Sequence, residues 1–280
     1  MGNNKNPRCA CPWCNRPGAI PFPIMKRGGG NAYLCSYHGR GGLDPYSAEN
    51  PLWWGTEHDH GITNAIEFET SGLSLRGRIE MAVNGFRPTS DCTVFAEMKS
   101  PIYQSLSAPV AYAESIDRMI ESGDISIDNH CGTHFHFGRK ADSRGRWLPI
   151  NADTMDVIRA NYADLFSPLY AYWREHEAET TAVFGRGFGE WSTDWHDGID
   201  PEEHRNAINV QHDNTIEFRR CRYRNQEQYR RCMYSCNEVG KALTERLAAL
   251  VNARGIAARH AIAAKIGRAL VKAWIRGTEK

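Results

Sequence analysis

Hydrophobic and polar residues alternate in three short stretches of the chain, and each stretch carries two polar side chains two positions apart. The stretches are Ala65–Glu69, Cys131–Gly138 and Asn214–Arg219. Successive residues of a β-strand point to opposite faces, so residues two apart share a face. The pattern therefore predicts three strands that are apolar on one face and that carry on the other face Glu67 with Glu69, His134 with His136, and Glu217 with Arg219.

The rest of the pattern mixes strands and helices without a repeated unit. Including the three stretches above, strands are predicted at 61–69, 92–99, 130–138, 206–211 and 215–222. Helices are predicted at 75–83, 109–122, 151–178, 225–252 and 256–276, the third with a kink or break at Pro168. This irregular order predicts an α+β fold rather than a parallel doubly wound sheet.

Composition divides the chain into three predicted parts. Residues 1–60 are rich in glycine, proline, cysteine and tryptophan, and residues 61–252 hold the strands just described. Residues 253–280 form a basic amphipathic helix that is expected to dock on the middle part through one apolar stripe. The stripe consists of Ile262, Ile266, Leu270 and Trp274.

Overall composition excludes several classes of protein. The 280 residues are 41% hydrophobic and 24% charged, with a formal net charge of +1, so no strong field points to nucleic acid or an acidic partner. No apolar run approaches the roughly 18 residues of a membrane span, and the first residues lack the apolar core of a signal peptide. Nine cysteines, an odd number, favour a reducing compartment with one metal site over a disulfide framework. The expected location is therefore the cytoplasm.

The first part of the chain contains the spacing of a small zinc knuckle. Cys11 and Cys14 are followed, after twenty residues, by Cys35 and His38. Two short hairpin corners, one with two cysteines and one with a cysteine and a histidine, can supply the four ligands of a tetrahedral Zn²⁺ site. Such a site is usually structural. Cys9 is a further thiol that can replace one ligand, and surface thiols without metal are the alternative.

The strand carboxylates suggest a second kind of metal site. Mg²⁺ prefers oxygen ligands, and the candidates are Glu67, Glu69, Glu97 and Glu217, with Asp91 just before the strand of Glu97. The planar guanidinium of Arg219 suits phosphate. Imidazole is a poorer Mg²⁺ ligand, so His134 and His136 suit phosphate, Mn²⁺ or the substrate. For any one pair alone, an exposed face of an edge strand is the alternative.

Four motifs, in order, resemble those of the amidoligase family, within the superfamily of glutamine synthetase and glutamate–cysteine ligase. The first, Gly-x-Glu-x-Glu, is matched by Ala65–Glu69 with alanine in place of the glycine. An Asp-x-Ser/Thr turn and a strand ending in Glu-x-x-Ser-Pro are matched by Asp91–Thr93 and Glu97–Pro101. Cys-Gly-x-His-x-His-x-Gly is matched by Cys131–Gly138, and Thr-x-Glu-Phe-Arg by Thr215–Arg219.

The resemblance covers residues 61–250 and implies an ATP-dependent carboxylate–amine ligase that forms an amide or peptide bond through an acyl phosphate. It implies a curved, mainly antiparallel sheet with Mg²⁺ and ATP on the concave face and helices on the convex face, as in glutamine synthetase. The implied Mg²⁺ ligands are Glu67, Glu69, Glu97 and Glu217, with Asp91 nearby. Arg219 then binds phosphate, and His134 and His136 line the ATP–metal face. The expected partners are small-molecule or peptide carboxylates and amines.

Two other functions fit parts of the sequence. A metal-dependent hydrolase would use His134 and His136 with a third ligand, for which His58–His60 is a candidate segment. A nucleic-acid-binding or assembly protein would use the zinc knuckle and the last helix, since residues 251–280 hold seven lysines and arginines and one glutamate. For the last helix, docking of its apolar stripe on the core is favoured over binding to nucleic acid.

Overall fold

The structure is a computed structural model that describes residues 7–11, 14, 16–18, 20–23, 31–40, 53–54, 61–89, 95–140, 147–187, 201–202 and 206–280. The helices in these ranges are α1 (Leu75–Val83), α2 (Ser107–Glu121), α3 (Ala152–Ala160), α4 (Tyr162–Glu175), α5 (Glu177–Phe184), α6 (Gln226–Val251) and α7 (Ile256–Thr278). The strands are β1 (Ile20–Pro23), β2 (Asn31–Leu34), β3 (Trp53–Trp54), β4 (Ile62–Thr70), β5 (Gly72–Leu73), β6 (Arg87–Thr89), β7 (Ala96–Lys99), β8 (Ile102–Tyr103), β9 (Ile125–Ser126), β10 (Thr133–Arg139), β11 (Ile208–Asn209) and β12 (Ile216–Phe218).

The strands pair in antiparallel fashion. The pairs are β1 with β2, β4 with β7, β6 with β7, β5 with β9, β10 with β12 and β11 with β12. Together with the seven described helices, this arrangement confirms the predicted α+β class with a mainly antiparallel sheet. The curvature of the sheet and the glutamine synthetase-like fold stay predictions.

The chain forms two compact units, each built from separated segments. Unit 1 consists of Met1–Trp54, Ile66–Ile102 and Ala111–Cys131, and unit 2 consists of Gly55–Ala65, Tyr103–Val110 and Gly132–Lys280. The boundary at Ala65 falls inside β4, so the first residues of this strand belong to unit 2 and the rest to unit 1. The three-part division into 1–60, 61–252 and 253–280 stays a prediction.

In unit 1, β4 and β7 present one apolar face and one charged face, as their alternation predicts. Phe68 lies opposite Met98 in the register, and both side chains are completely buried. Helix α1 begins where Ser74 accepts a hydrogen bond from the backbone N–H of Gly77, and the chain turns at Gly85, whose φ is 87°. A serine N-cap and a glycine with positive φ are ordinary helix boundaries, which explains why the predicted range 75–83 is confirmed.

The cysteines near the N-terminus belong to the small core of unit 1. Cys9, Cys11 and Cys35 are buried together with Ile79 and Ala82 of α1. The segment thus packs its thiols against a helix rather than against a large apolar core of its own. Any ion held by these thiols would contribute directly to the stability of the segment.

In unit 2, helix α6 packs closely on one face of β10. A Cβ atom added to Gly240 would lie 2.4 Å from the ring of Phe137, so only glycine permits this approach. The ring centroids of Tyr229 and Phe135 are 5.4 Å apart on the same face. Because residues alternate along the strand, His134 and His136 point to the face opposite α6.

The last helix, α7, docks its apolar stripe within unit 2. Ile266, Leu270 and Trp274 are buried. The indole of Trp274 lies 5.1 Å from the ring of Trp173 and 4.8 Å from that of Phe184, measured between centroids. Three of the four residues of the predicted stripe are thus packed within unit 2, while Ile262 is half-buried. Neither α7 nor any other helix of the described part is both long and apolar enough to cross a membrane.

The range 151–178, predicted as one long helix, contains α3, α4 and the beginning of α5. The breaks fall at Asn161 and His176, while Pro168 lies inside α4. Asn161 ends α3 because its side-chain Nδ2 donates a hydrogen bond to the carbonyl of Val157, at 2.8 Å, in competition with the helix backbone. Because α4 continues through Pro168, the predicted break does not occur at that residue, and a kink there stays a prediction.

Candidate functional site

Three glutamates and one lysine share the charged face of β4 and β7 in unit 1, and we call them the carboxylate cluster. Glu67 lies opposite Lys99 in the register, and Glu69 lies opposite Glu97. The Lys99 ammonium is 2.5 Å from an oxygen of Glu67 and 3.2 Å from an oxygen of Glu97. Three of the predicted Mg²⁺ ligands are thus held together on neighbouring strands.

The electrostatics of the carboxylate cluster are unfavourable for an isolated sheet face. Glu69 and Glu97 are each only 7% exposed, and like charges directly opposite one another destabilise a strand pair. Burial alone would lower the pKa of Lys99, but the carboxylates of Glu67 and Glu97 outweigh it and raise that pKa. The cluster itself holds one ammonium and three carboxylates, and Arg87 of β6 is the register partner of Lys99 on the same face.

Three histidines, a glutamate and an arginine form a second group in unit 2, which we call the histidine cluster. Its centre is Glu217 on β12, which lies opposite His136 of β10 in the register. One carboxylate oxygen of Glu217 is 3.1 Å from Nδ1 of His134 and accepts a hydrogen bond of 2.7 Å from Arg219. The other oxygen is 3.3 Å from Nε2 of His212.

Asn209 of β11 completes the surroundings of Glu217. The two residues are register partners, and Nδ2 of Asn209 donates a hydrogen bond of 2.7 Å to Glu217. Complete burial would raise the pKa of the Glu217 carboxyl. The hydrogen bonds from His134 and His212 and the charge of His136 outweigh this effect, so that the pKa lies well below its usual value. Glu217 is thus a fully buried carboxylate that stays ionised.

The histidine cluster opens to solvent on one side. The side chains of Glu217 and His134 are 1% and 4% exposed, whereas those of Arg219 and His212 are 24% and 47% exposed. His136 lies beside His212, with ring centroids 5.5 Å apart. Arg219 and His212 thus form the exposed edge of the cluster, and Glu217 and His134 lie behind them.

The predicted zinc ligands are placed only in part. The side chain of His38 lies outside the described residues. The same holds for Asp91 and for the segment 58–60. The sulfur atoms of Cys9, Cys14 and Cys35 lie within 4.8 Å of one another. Cys9, which the spacing offered only as a substitute ligand, is thus one of these three thiols.

Cys11 lies next to the other three thiols. Burial raises the pKa of the Cys11 thiol, and the neighbouring Cys9, Cys14 and Cys35 raise it further, because thiolates close together repel one another. Burial also raises the pKa of Cys14, to about 11. A bound cation would reverse this balance, since Zn²⁺ binds cysteine as the thiolate.

Two residues of these clusters were missed in the sequence. Lys99 follows Glu97 by two positions on a strand, and the same alternation that paired Glu67 with Glu69 would have placed it on the charged face. His212 lies in the turn between β11 and β12, where no periodicity applies. Its approach to Glu217 depends on the path of that turn, which carries no such signal.

The donor sets of the clusters suit different ions. The three carboxylates of unit 1 match the oxygen coordination of Mg²⁺, although the Lys99 ammonium already occupies one cation position. The histidine cluster offers three imidazoles beside one carboxylate, which suits Mn²⁺ or Zn²⁺ better. Thiolates of the N-terminal cysteines suit Zn²⁺.

Comparison of the chain with models of protein families, with curated proteins and with solved structures finds no match. The resemblance to the amidoligase family is therefore carried by the sequence motifs alone. Membership of that family stays a hypothesis.

Proposed function

We propose that the protein is an ATP-dependent carboxylate–amine ligase. The carboxylate cluster carries the proposal. Glu69 and Glu97 directly face each other at 7% exposure, with one lysine among three glutamates. Such an arrangement lowers the stability of a sheet, and it is expected where a site holds cations. The order of the motifs supports the same chemistry.

The substrates of this reaction are a carboxylate, an amine and ATP. A carboxylate is a poor acyl donor, and transfer of the γ-phosphoryl group of ATP to it forms an acyl phosphate. The amine attacks the carbonyl carbon, phosphate leaves with the bonding electrons, and the amine loses a proton, so that an amide is formed. The metal ions, when bound, supply charge neutralisation on the transferred phosphoryl group.

Each residue of the two clusters has an assigned role in the proposal. Glu67, Glu69 and Glu97 bind Mg²⁺, and Lys99 keeps their mutual repulsion low before the metal arrives. Arg219 binds phosphate through its planar guanidinium, which Glu217 orients at 2.7 Å. His134 and His136 hold the Glu217 carboxylate ionised, and Glu217 is a metal ligand of the site.

The proposal includes the fold and the zinc site. The mainly antiparallel sheet belongs to a curved, glutamine synthetase-like catalytic fold, with helices on the convex face. A structural Zn²⁺ is held near the N-terminus by Cys14 and Cys35 together with two further ligands from Cys9, Cys11 and His38. The protein acts in the cytoplasm, where thiols stay reduced.

The decisive experiment measures ATP consumption with Mg²⁺ or Mn²⁺ in pools of amino acids, amines and peptidoglycan fragments. Mass spectrometry identifies a condensation product whose mass equals acid plus amine minus water. Glu67→Gln keeps the shape of the side chain but removes one charge from the cation site, and it should lower turnover by more than about tenfold. Glu245→Gln is the matched control, because that side chain is 52% exposed on α6.

Three results would contradict the proposal. The first is the absence of any ATP-dependent condensation product across the pools. The second is full activity of Glu67→Gln. The third is equal loss of activity in Glu67→Gln and Glu245→Gln, because that would point to a general effect on the protein rather than to the carboxylate cluster.

A metal-dependent hydrolase is the second candidate function, and His212 favours it. A hydrolytic site needs a third ligand beside His134 and His136, and Nε2 of His212 lies 3.3 Å from Glu217 in the same cluster. This candidate predicts hydrolysis that needs Mn²⁺ or Zn²⁺ but no ATP. His212→Ala should abolish it, whereas the ligase should keep measurable ATP turnover in that variant.

A further inference from the structure

Unit 2 contains a cavity on the side of the sheet that faces α6. Its volume is about 350 Å³, which falls within the range of small-molecule sites and far exceeds the space of one water molecule. Ile62 and Asn64 of β4 and residues 104–106 form part of the lining, and α6 supplies Tyr234 and the residues named below. His134 and His136 point to the other face of the sheet, so the cavity is separate from the histidine cluster.

The floor of the cavity carries three carboxamides that lack hydrogen-bond partners among the described residues. They are Asn64, through Nδ2, Gln104, through Oε1, and Asn237, through Oδ1. Each residue is at least nine-tenths buried. A buried polar atom without a partner is costly, and three such atoms around one cavity point to a ligand that offers both donors and acceptors.

The rim of the cavity is charged. Glu238 of α6 accepts a hydrogen bond of 2.8 Å from Lys280 and lies 3.8 Å from the ammonium of Lys241. The Glu238 side chain is 13% exposed, while those of Lys241 and Lys280 are 35% and 48% exposed. Two ammonium groups and one carboxylate can bind both ends of a zwitterion, and their sum favours a carboxylate over a cation.

We propose that this cavity binds a free α-amino acid whose side chain ends in a carboxamide, namely glutamine or asparagine. The α-carboxylate pairs with Lys241 and Lys280, and the α-ammonium pairs with Glu238. The side-chain carboxamide offers two N–H donors and one carbonyl acceptor, which together match Gln104, Asn237 and Asn64. Ile62 and Leu106 contact the methylene groups.

The proposal does not depend on the ligase function. Neither the lining nor the rim includes a residue of the carboxylate or histidine clusters. The amino acid is therefore a ligand of a second site rather than a group that reacts at the first. Loss of this site should leave any ATP-dependent turnover measured without added glutamine unchanged.

Isothermal titration calorimetry of the full chain tests the proposal with four probes. L-glutamine carries every group that the cavity recognises. L-glutamate replaces the carboxamide by a carboxylate, L-norleucine replaces it by an alkyl end, and glutaramate lacks only the α-ammonium. One glutamine should bind per chain, more than about tenfold more tightly than glutamate or norleucine, because their binding leaves buried amides unpaired. Glutaramate should lose less affinity than norleucine does.

Variants separate the cavity from the rest of unit 2. Asn237→Leu should weaken glutamine binding by more than about tenfold. It should not lower the unfolding temperature, because Oδ1 of Asn237 has no partner to lose among the described residues. Lys241→Met should weaken binding several-fold, while Lys272→Met, an exposed lysine on α7, serves as the matched control. If Asn237→Leu does not fold, Gln104→Met tests the same floor.

Three results would overturn the proposal. They are no saturable heat with glutamine or asparagine at millimolar concentration, equal binding of norleucine, and unchanged glutamine binding in a folded floor variant. The first would mean that the cavity holds only water.

Discussion

Nδ1 of His134 lies 3.1 Å from a carboxylate oxygen of Glu217, and both side chains are almost completely buried. The pair joins β10 to β12 on the face of the sheet opposite α6. Because Glu217 also accepts hydrogen bonds from Arg219 and Asn209, its charge is compensated from several directions. This compensation makes a buried, ionised carboxylate stable, and it has consequences that can be measured.

The first prediction concerns the loss of stability at low pH. The pKa of Glu217 is depressed in the folded protein, so the folded state holds this proton less tightly than the unfolded state. The resulting stabilisation is fully present above the unfolded pKa of about 4.3 and is lost as pH falls through the folded pKa. Glu217→Gln should lower the free energy of unfolding by about 1.5–3 kcal/mol near neutral pH, and by less in acid.

Urea denaturation between about pH 7 and pH 3, with a chelator present, measures this difference. Glu245→Gln, on the exposed face of α6, should follow the wild-type protein at every pH. A difference between Glu217→Gln and wild type that stays constant down to the lowest pH would show that the Glu217 carboxyl is not the acid-sensitive group.

The second prediction concerns Lys99. Its ammonium lies 2.5 Å from Glu67 and 3.2 Å from Glu97, where it competes with any divalent cation. Lys99→Met should therefore tighten Mn²⁺ or Mg²⁺ binding by about tenfold, which corresponds to roughly 1.4 kcal/mol. It should also destabilise the metal-free protein, because three carboxylates then repel one another.

Calorimetric titration with Mn²⁺ and denaturation without metal check both parts of this prediction. Lys265→Met, an exposed position on α7, is the control for removing a positive charge. Weaker metal binding in Lys99→Met than in the control would mean that the carboxylate cluster does not bind the cation.

The third prediction concerns zinc. The sulfur atoms of Cys9, Cys14 and Cys35 lie within 4.8 Å of one another, so we expect one Zn²⁺ per chain in protein purified without chelator. Cys14→Ser and Cys35→Ser should lose the ion. Comparison of Cys9→Ser, Cys11→Ser and His38→Ala identifies the two remaining ligands, because the sequence favours Cys11 and His38 and the thiol distances favour Cys9.

Elemental analysis and thermal unfolding with and without a chelator measure these effects. Removal of zinc should lower the unfolding temperature, since thiolate ligation stabilises the N-terminal segment. Cys236→Ala, a thiol on α6, should keep its zinc. Metal-free wild-type protein, or full zinc content in Cys35→Ser, would refute the site.

The fourth prediction concerns the docking of α7. Trp274 is 1% exposed and contacts the rings of Trp173 and Phe184. Trp274→Ala should therefore lower the free energy of unfolding by about 3–5 kcal/mol. Ile256→Ala, at a position 77% exposed, should change it by less than about 0.5 kcal/mol. Denaturant titration compares the two, and a similar small effect in both would contradict the docked position.

The sequence predicted those features that depend on local periodicity. The range 75–83 of α1 was predicted from its local pattern, and the charged face of β4 was predicted from alternation. The apolar stripe of α7 was predicted from helical spacing, and Ile266, Leu270 and Trp274 of that stripe are buried. In each case the signal lies within a few residues of the structure that it determines.

Features that depend on distant segments were harder to predict. His212 approaches Glu217 through a turn, and Cys9 approaches Cys35 through the path of the N-terminal segment. Asn161 ended α3 because its side chain bonds the carbonyl of Val157, whereas α4 continues through Pro168. Periodicity in the sequence predicts on which face of a strand or helix a side chain lies. It does not predict which distant residue that side chain contacts.

The position of the unit boundary inside β4 also has a consequence for synthesis. The chain passes between the two units at Trp54, Ala65, Ile102, Val110 and Cys131. Every segment of unit 1 has left the ribosome once Cys131 emerges, whereas the first residues of β4 must wait for β10 and the helices that follow. A cut after Cys131 would leave residues 55–65 and 103–110 of unit 2, including the first residues of β4, on the N-terminal fragment. We therefore expect a single gene product to fold where two separately expressed halves do not.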